Sequence, residues 1–190
     1  MISDIGSGTG LSAFAFAPVA RKVIGVEIEE NMRAVAERER VRQGFTNLEF
    51  MQGDARDIPL RDDFVDIVTG ITLAIYPVDG YRDFVREATR VLSNGGLIAM
   101  INITPDWYGG ELATIINDVD TTDARQNEIL VDELGFQFED FDTNQEYGSL
   151  DKIVRTYGFI FGRNAIEYLK ANNKTNIQWR FRIHYKVVEK

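Results

Sequence analysis

Cysteine is absent from the chain, which removes at once a disulfide framework, a thiolate zinc site, an iron–sulfur cluster and a cysteine nucleophile. Histidine occurs once, as His184, among alternating basic residues near the end of the chain, a setting that reads as surface rather than as a general base. Positive charge is in deficit: 21 Lys and Arg stand against 30 Asp and Glu, a formal charge of −9. Phosphate backbones are bound by excess cations, so nucleic acid is not an expected partner. Apolar runs are all too short to span a bilayer, and the N-terminal residues lack the charged and apolar regions of a secretory signal. No membrane partner and a cytoplasmic location are the expectations. What remains, 190 residues with 44% hydrophobic content, suits a single domain with a real core.

Glycine is not scarce, and its placement is the strongest local signal. Asp4-Ile5-Gly6-Ser7-Gly8-Thr9-Gly10 sets three glycines in five positions behind the apolar pair Met1-Ile2, the pattern of a strand running into a glycine loop. Alternate glycines open φ values closed to other residues and let a ligand approach the main chain, while a following helix points unpaired N–H groups at it. A ligand with an anionic end is expected there. The third glycine comes one residue too early for the dinucleotide fingerprint G-x-G-x-x-G, which disfavours NAD and FAD. Residues 22–27, Lys-Val-Ile-Gly-Val-Glu, are a β-branched run closing on an acid. In nucleotide-binding α/β folds an acid about 20 residues beyond the glycine loop bonds ribose hydroxyls.

The glycine loop, Gly25-Val26-Glu27-Ile28, the turn Gly53-Asp54-Ala55 and the run Arg90-Val-Leu-Ser-Asn-Gly95-Gly96 follow one another within the first hundred residues, between alternating strand and helix patterns. Together they resemble the class I S-adenosylmethionine (SAM)-dependent methyltransferases, whose first motif reads D/E-x-G-x-G-x-G. The resemblance implies an α/β fold of three layers, α/β/α and Rossmann-like, with a mostly parallel seven-stranded sheet and an antiparallel last strand. It also implies SAM as cofactor, with Asp4, Gly6, Ser7, Gly8, Thr9 and Gly10 contributing through the first motif. Carried over further, it puts Glu27 on the ribose and Ile28 and Met32 beside the adenine. Asp54 then accepts from the adenine amino group and the Ala55 N–H serves a ring nitrogen, while Gly70, Ile71 and Thr72, ending the fourth strand, reach the methionine end. The family usually has one or two helices before the first strand that help close the site. Here these N-terminal cap helices are missing: either the chain is cut short, or another segment or a partner subunit supplies the lid. A homodimer that covers an exposed apolar sheet face is one such arrangement.

Local patterns supply the remaining elements. Residues 9–17 read as a short, nearly all-apolar helix buried against a sheet. Residues 29–43 read as a charged surface helix with the stripe Met32, Val35, Ala36 and Val41 and a C-cap at Gly44. Tyr81, Phe84, Val85, Ala88, Val91 and Leu92 recur at helical steps, with Asp79 placed to cap. The division falls between a cofactor-binding half, 1–103, and a substrate-side half, 104–190. In the latter, Trp107 and Tyr108 either form a lid over a flat substrate or the sulfonium, or pin their loop to the core. Residues 128–134 suggest a helix and 136–146 a sixth strand. Between the last two strands lies a helical insertion capped by Ser149 and interrupted at Gly158 and Gly162, whose aromatic patch 157–162 either lines a substrate pocket or is core. Residues 179–186 alternate strictly, and the face with Arg180, Arg182, His184 and Lys186 should be wet.

With a sulfonium-activated methyl group, orientation supplies much of the catalysis and the protein need not offer a nucleophile. The expected reaction is in-line displacement by a small-molecule acceptor, and no catalytic residue is assigned. Without cysteine, radical-SAM chemistry and cysteine-dependent base methylation are excluded. Residues 70–77 lack the D/N/S-P-P-Y/F/W motif of amino-directed DNA methylation, and no acid cluster points to a metal. The competing reading is a SAM-binding domain without turnover. Aminopropyl transfer on the same fold is disfavoured by the lack of an acidic diamine-binding pattern.

Overall fold

The computed structural model describes residues 1–105 and 122–190. Trp107 and Tyr108, proposed above for a lid, lie outside the described residues. The elements run β1 (Ile2–Ile5), α1 (Leu11–Phe16), β2 (Val23–Glu27), α2 (Glu30–Gln43), β3 (Leu48–Gln52), β4 (Val65–Ile71), α3 (Tyr81–Val91), β5 (Leu92–Ile103), α4 (Thr122–Asn127), β6 (Gln137–Glu146), α5 (Leu150–Ala171) and β7 (Asn176–Val188). A 3-10 turn, Val78–Gly80, leads into α3, and a π-helical turn, Glu128–Glu133, follows α4. The seven strands form one sheet in the order β3-β2-β1-β4-β5-β7-β6.

β1 to β5 pair in parallel, and all five residues of β2 are buried, as strands covered on both faces must be. The last strand is antiparallel. Thr104 N–H donates to the Arg180 carbonyl, and Lys190 N–H donates to the Asn94 side chain, so β7 runs back along β5. Tyr147 N–H likewise meets the Thr175 carbonyl, which makes β6 and β7 antiparallel. The mostly parallel sheet with an antiparallel last strand is therefore as expected. Strand order reverses between β1 and β4, and the carboxyl ends of strands beside such a switch point form the crevice where open α/β sheets bind ligands.

The residues group into two compact units. One comprises Met1–Asn102, Arg125–Phe138 and Ile183–Lys190, the other Ile103–Ala124 and Glu139–Arg182. In the first, α3 buries Tyr81, Phe84, Val85, Ala88 and Val91 against β-branched and aliphatic residues of the central strands. Arg90, at the end of that helix, donates to the Ile58 and Leu60 carbonyls and pairs with Glu87 and Asp62. One guanidinium thus pins the segment that follows the Gly53-Asp54-Ala55 turn. β5 opens with a bulge: Val65 faces Leu92 and Ile67 faces Leu97, and Gly95-Gly96 lie inside it.

Several local expectations are corrected. Within α1 only Ala13 is buried and Leu11 is 84% exposed, because a six-residue helix turns less than two full turns against the sheet. In α2 only Ala36 of the stripe is buried; a narrow stripe on a helix this charged is satisfied by one small contact. Gly44 does end it in the left-handed region, with φ 74°. Asp79 does not cap α3; it pairs with Arg82 and Arg125.

The second unit has its own core of Ile153, Tyr157, Ala165, Leu169 and Ile177. Ser149 caps α5 by accepting from Lys152 N–H. The helix continues through Gly158 and breaks only at Gly162 (φ 74°, ψ −156°). Trp179 Nε1–H donates to Tyr157 Oη at 2.6 Å, so Tyr157 is core, whereas Phe159 is 92% exposed.

The basic face of β7 is wet only at Arg180, whose side chain is 49% accessible; the rest of it is covered. Arg182 pairs with Asp140 at 2.6 Å, Lys186 donates to the Leu134 carbonyl, and His184 is 2% exposed with Nε2 3.0 Å from Asn127 Oδ1. Period-2 alternation identifies two faces but not their covering; residues 125–140 supply the acid, amide and carbonyl that make covering Arg182, His184 and Lys186 affordable.

Candidate functional site

The glycine loop leaves the carboxyl end of β1, and its geometry follows from which N–H groups find acceptors. Gly6 and Ser7 N–H donate to the Val26 carbonyl at 2.8 and 3.2 Å, tying the loop to β2. Gly8 N–H donates to Glu27 Oε2 at 2.8 Å, and Glu29 N–H to Glu27 Oε1 at 2.9 Å. The anion held by the loop is thus the chain's own Glu27.

Gly8 and Gly10 both have positive φ, 54° and 91°, but they do different work. A Cβ on Gly10 would lie 2.7 Å from the Phe50 ring and 2.8 Å from Phe14, so this glycine permits packing. A Cβ on Gly8 would meet only Met32 Sδ at 3.9 Å, so this one keeps the cavity wall clear.

A cavity of about 540 Å³ opens beside the loop. Of the residues expected at the site, Gly6, Gly8, Glu27, Ile28, Met32, Asp54 and Ala55 line it together. Two of these, Ile28 and Met32, are large apolar side chains that are nonetheless exposed. Asp4, Ser7, Thr9, Gly10, Gly70 and Ile71 are not on its wall. Asp4 is 1% exposed and sits behind the loop, its carboxylate accepting from Ser12 Oγ at 2.6 Å and Thr69 Oγ1 at 2.9 Å. It holds β1, α1 and β4 together. Gly70 and Ile71 stay within β4. Beyond them the wall is made by Thr72, Leu73, Ala74, Ile75 and Tyr76.

Thr72 was expected at the methionine end with Gly70 and Ile71, whereas Leu73, Ala74, Ile75 and Tyr76 were missed by sequence reasoning, although the rule that ligands bind beyond the carboxyl ends of strands pointed to whatever followed β4. Thr72 has φ 51°, a left-handed conformation that costs a β-branched residue about 1–2 kcal/mol and persists because its N–H donates to the Ile101 carbonyl at 2.7 Å. Leu73 is held by Tyr81, whose hydroxyl donates to its carbonyl. Arg33 was missed too: it donates to the Glu27 and Ile28 carbonyls at 3.0 and 2.9 Å and so positions both cavity residues.

Comparison with known proteins bears directly on this arrangement. The methyltransferase domain family matches residues 3–100, the stretch that contains the loop, Glu27, Asp54 and the wall after β4. The chain belongs to this methyltransferase family. YcgJ of Bacillus subtilis, described as an uncharacterized methyltransferase, is 36% identical over 101 residues, covering 53% of the chain and 40% of YcgJ. A "Probable S-adenosylmethionine-dependent methyltransferase" of Mycobacterium tuberculosis is 33% identical over 128 residues, 67% of the chain and 44% of that protein. Demethylmenaquinone methyltransferase of Bacillus subtilis is 31% identical over 110 residues, 56% of the chain and 47% of that enzyme. The chain spans about half the length of these curated relatives. The crystal structure of YcgJ matches the fold with a TM-score of 0.64 and 22% identity, covering all of the chain and 92% of that structure. Within this methyltransferase domain the family's matched segment supplies every residue of the cavity wall.

Burial raises the pKa of the Asp4 carboxyl above its ordinary 3.8, opposed by its hydrogen bonds from Ser12 and Thr69 and reinforced by the charge of Glu27. A folded value above the unfolded one contributes stability that is complete below 3.8 and is lost as pH rises through the folded value. Asp4→Asn removes that dependence. Urea unfolding from pH 3.5 to 7 should show the wild-type stability minus that of Asp4→Asn shrinking as pH rises; a difference independent of pH would show that Asp4 does not titrate this way.

Proposed function

We propose that the cavity binds SAM and that the domain transfers its methyl group to a small-molecule acceptor. The observation that carries this is the convergence, on one wall, of the Gly8–Glu27 hydrogen bond, the Asp54-Ala55 turn and the exposed apolar pair Ile28 and Met32. Such a wall fits a ligand with a flat apolar body and hydroxyl and amino donors. Each Glu27 oxygen accepts one backbone N–H and keeps a second acceptor position, as ribose hydroxyls require. Ile28 and Met32 offer apolar surface to a purine, and Asp54 offers an acceptor to its amino group.

SAM supplies a methyl group already activated by a sulfonium. The chain's own part is to bind, orient and exclude water: Gly8 leaves room at the loop, Glu27 fixes the sugar, and the segment 72–76 closes the far wall. Tyr76, 67% exposed on that wall, offers an aromatic face of the kind that attracts cations. No wall residue is assigned as a base, since orientation alone supplies much of the rate. The demethylmenaquinone methyltransferase relative and the acidic charge support a small molecule over nucleic acid as acceptor. Among the described residues no helix is long and apolar enough to cross a membrane, and we place the domain in the cytoplasm. The homodimer reading, in which a second chain covers an exposed apolar sheet face, would be ended by a monomer in sedimentation equilibrium.

Calorimetric titration of SAM and of S-adenosylhomocysteine into the purified chain tests the reading. Micromolar binding of both is expected, followed by methyl transfer in a screen of small acceptors. Tight binding with no transfer to any acceptor would favour a SAM-binding domain without turnover, and no binding by the folded chain would sink the assignment.

A further inference from the structure

Asp54, the carboxylate that the functional reading gives to the adenine amino group, is engaged by a residue of its own turn. Arg56 donates to Asp54 Oδ1 from its backbone N at 2.8 Å and from Nε at 2.9 Å, and to Oδ2 from Nη2 at 2.7 Å. A carboxylate has about four acceptor positions; Arg56 takes three of them, and its fork holds both oxygens in one plane. Arg56 also lines the same cavity as Asp54 and Ala55. Its position is built into the fold: the stem passes over Gly80, where a Cβ would meet Arg56 Cδ at 3.3 Å.

We propose that Arg56 sets cofactor affinity by competing with the adenine amino group for the Asp54 carboxylate. The inference rests on the SAM reading above and deepens it, since Arg56 belongs to no motif that identified the site. The ion pair is solvent-exposed, with side chains 42% and 30% accessible, and exposed pairs are weak. Arg56 is therefore a displaceable occupant. It keeps an otherwise unpaired carboxylate hydrogen-bonded and lowers affinity by a modest factor.

The test is calorimetric titration of S-adenosylhomocysteine into wild type, Arg56→Ala, Asp54→Asn and the double variant, at low and high salt. Arg56→Ala should bind about three- to fivefold tighter than wild type, the scale of a lost exposed pair, and should have no effect in the Asp54→Asn background. Raising the salt should tighten wild type toward the Arg56→Ala value by screening the pair, while leaving Arg56→Ala unchanged. Equal or weaker binding by Arg56→Ala, with wild type still binding, overturns the competition alone. Absence of binding by all four folded proteins overturns the SAM reading and this inference with it.

Discussion

Gly8→Val is expected to abolish measurable SAM binding, weakening it by about 100-fold or more, while leaving a folded protein. The argument separates two effects. Gly8 has φ 54°, and a β-branched residue in the left-handed region costs about 1–3 kcal/mol, a loss that a domain of ordinary stability, about 5–15 kcal/mol, survives. A Cβ there meets only Met32 Sδ, at 3.9 Å, on the cavity wall, so the valine is expected to occupy cavity space instead of displacing the core. The matched control is Gly10→Val, whose Cβ would lie 2.7 Å from Phe50 and which should reduce the yield of folded protein instead. Circular dichroism and thermal melting alongside calorimetry check both. Unchanged affinity in Gly8→Val would place the ligand elsewhere.

The second large effect is Glu27→Ala. Glu27 is buried and accepts from both Gly8 and Glu29 N–H. Removing the carboxylate therefore costs stability, about 1–3 kcal/mol for donors left unpaired, as well as affinity. A charged hydrogen bond to ribose is worth about 1.5–3 kcal/mol, which corresponds to a loss of roughly 10- to 100-fold in binding. The two losses are distinguished with the 2′-deoxy analogue of S-adenosylhomocysteine. Wild type should prefer the ribose form by about tenfold, and Glu27→Ala should not distinguish the two. A variant that retains the preference would mean that another group holds the sugar and that Glu27 only shapes the loop.

Much of the cofactor wall was legible because its signals are local. Glycines at 6, 8 and 10, an acid closing a β-branched run, and Gly53-Asp54-Ala55 are each readable within a few residues, and all but Gly10 of these landmarks reach the cavity wall. Beyond Thr72 the wall after β4 was not legible, since residues 73–76 carry no motif and their role comes from lying at the switch point between β1 and β4. Arg56 was missed for a related reason. Its pattern is that of a solvated arginine, and only the fork onto Asp54 gives it a place in the site.

The pattern of the chain by itself determined the order of strands and helices, the glycine loop and the cavity carboxylates Glu27 and Asp54, because periodicity and turn chemistry act over a few residues. Tertiary structure decided what each of these groups touches. Asp4 became a buried clasp between Ser12 and Thr69, Glu27 became the anion held by Gly8, and His184 on the basic face of β7 became buried. Partners 19 and 65 residues apart in sequence meet only because the sheet order brings β2 and β4 to either side of β1, and burial there leaves each polar group to find its acceptor within the protein.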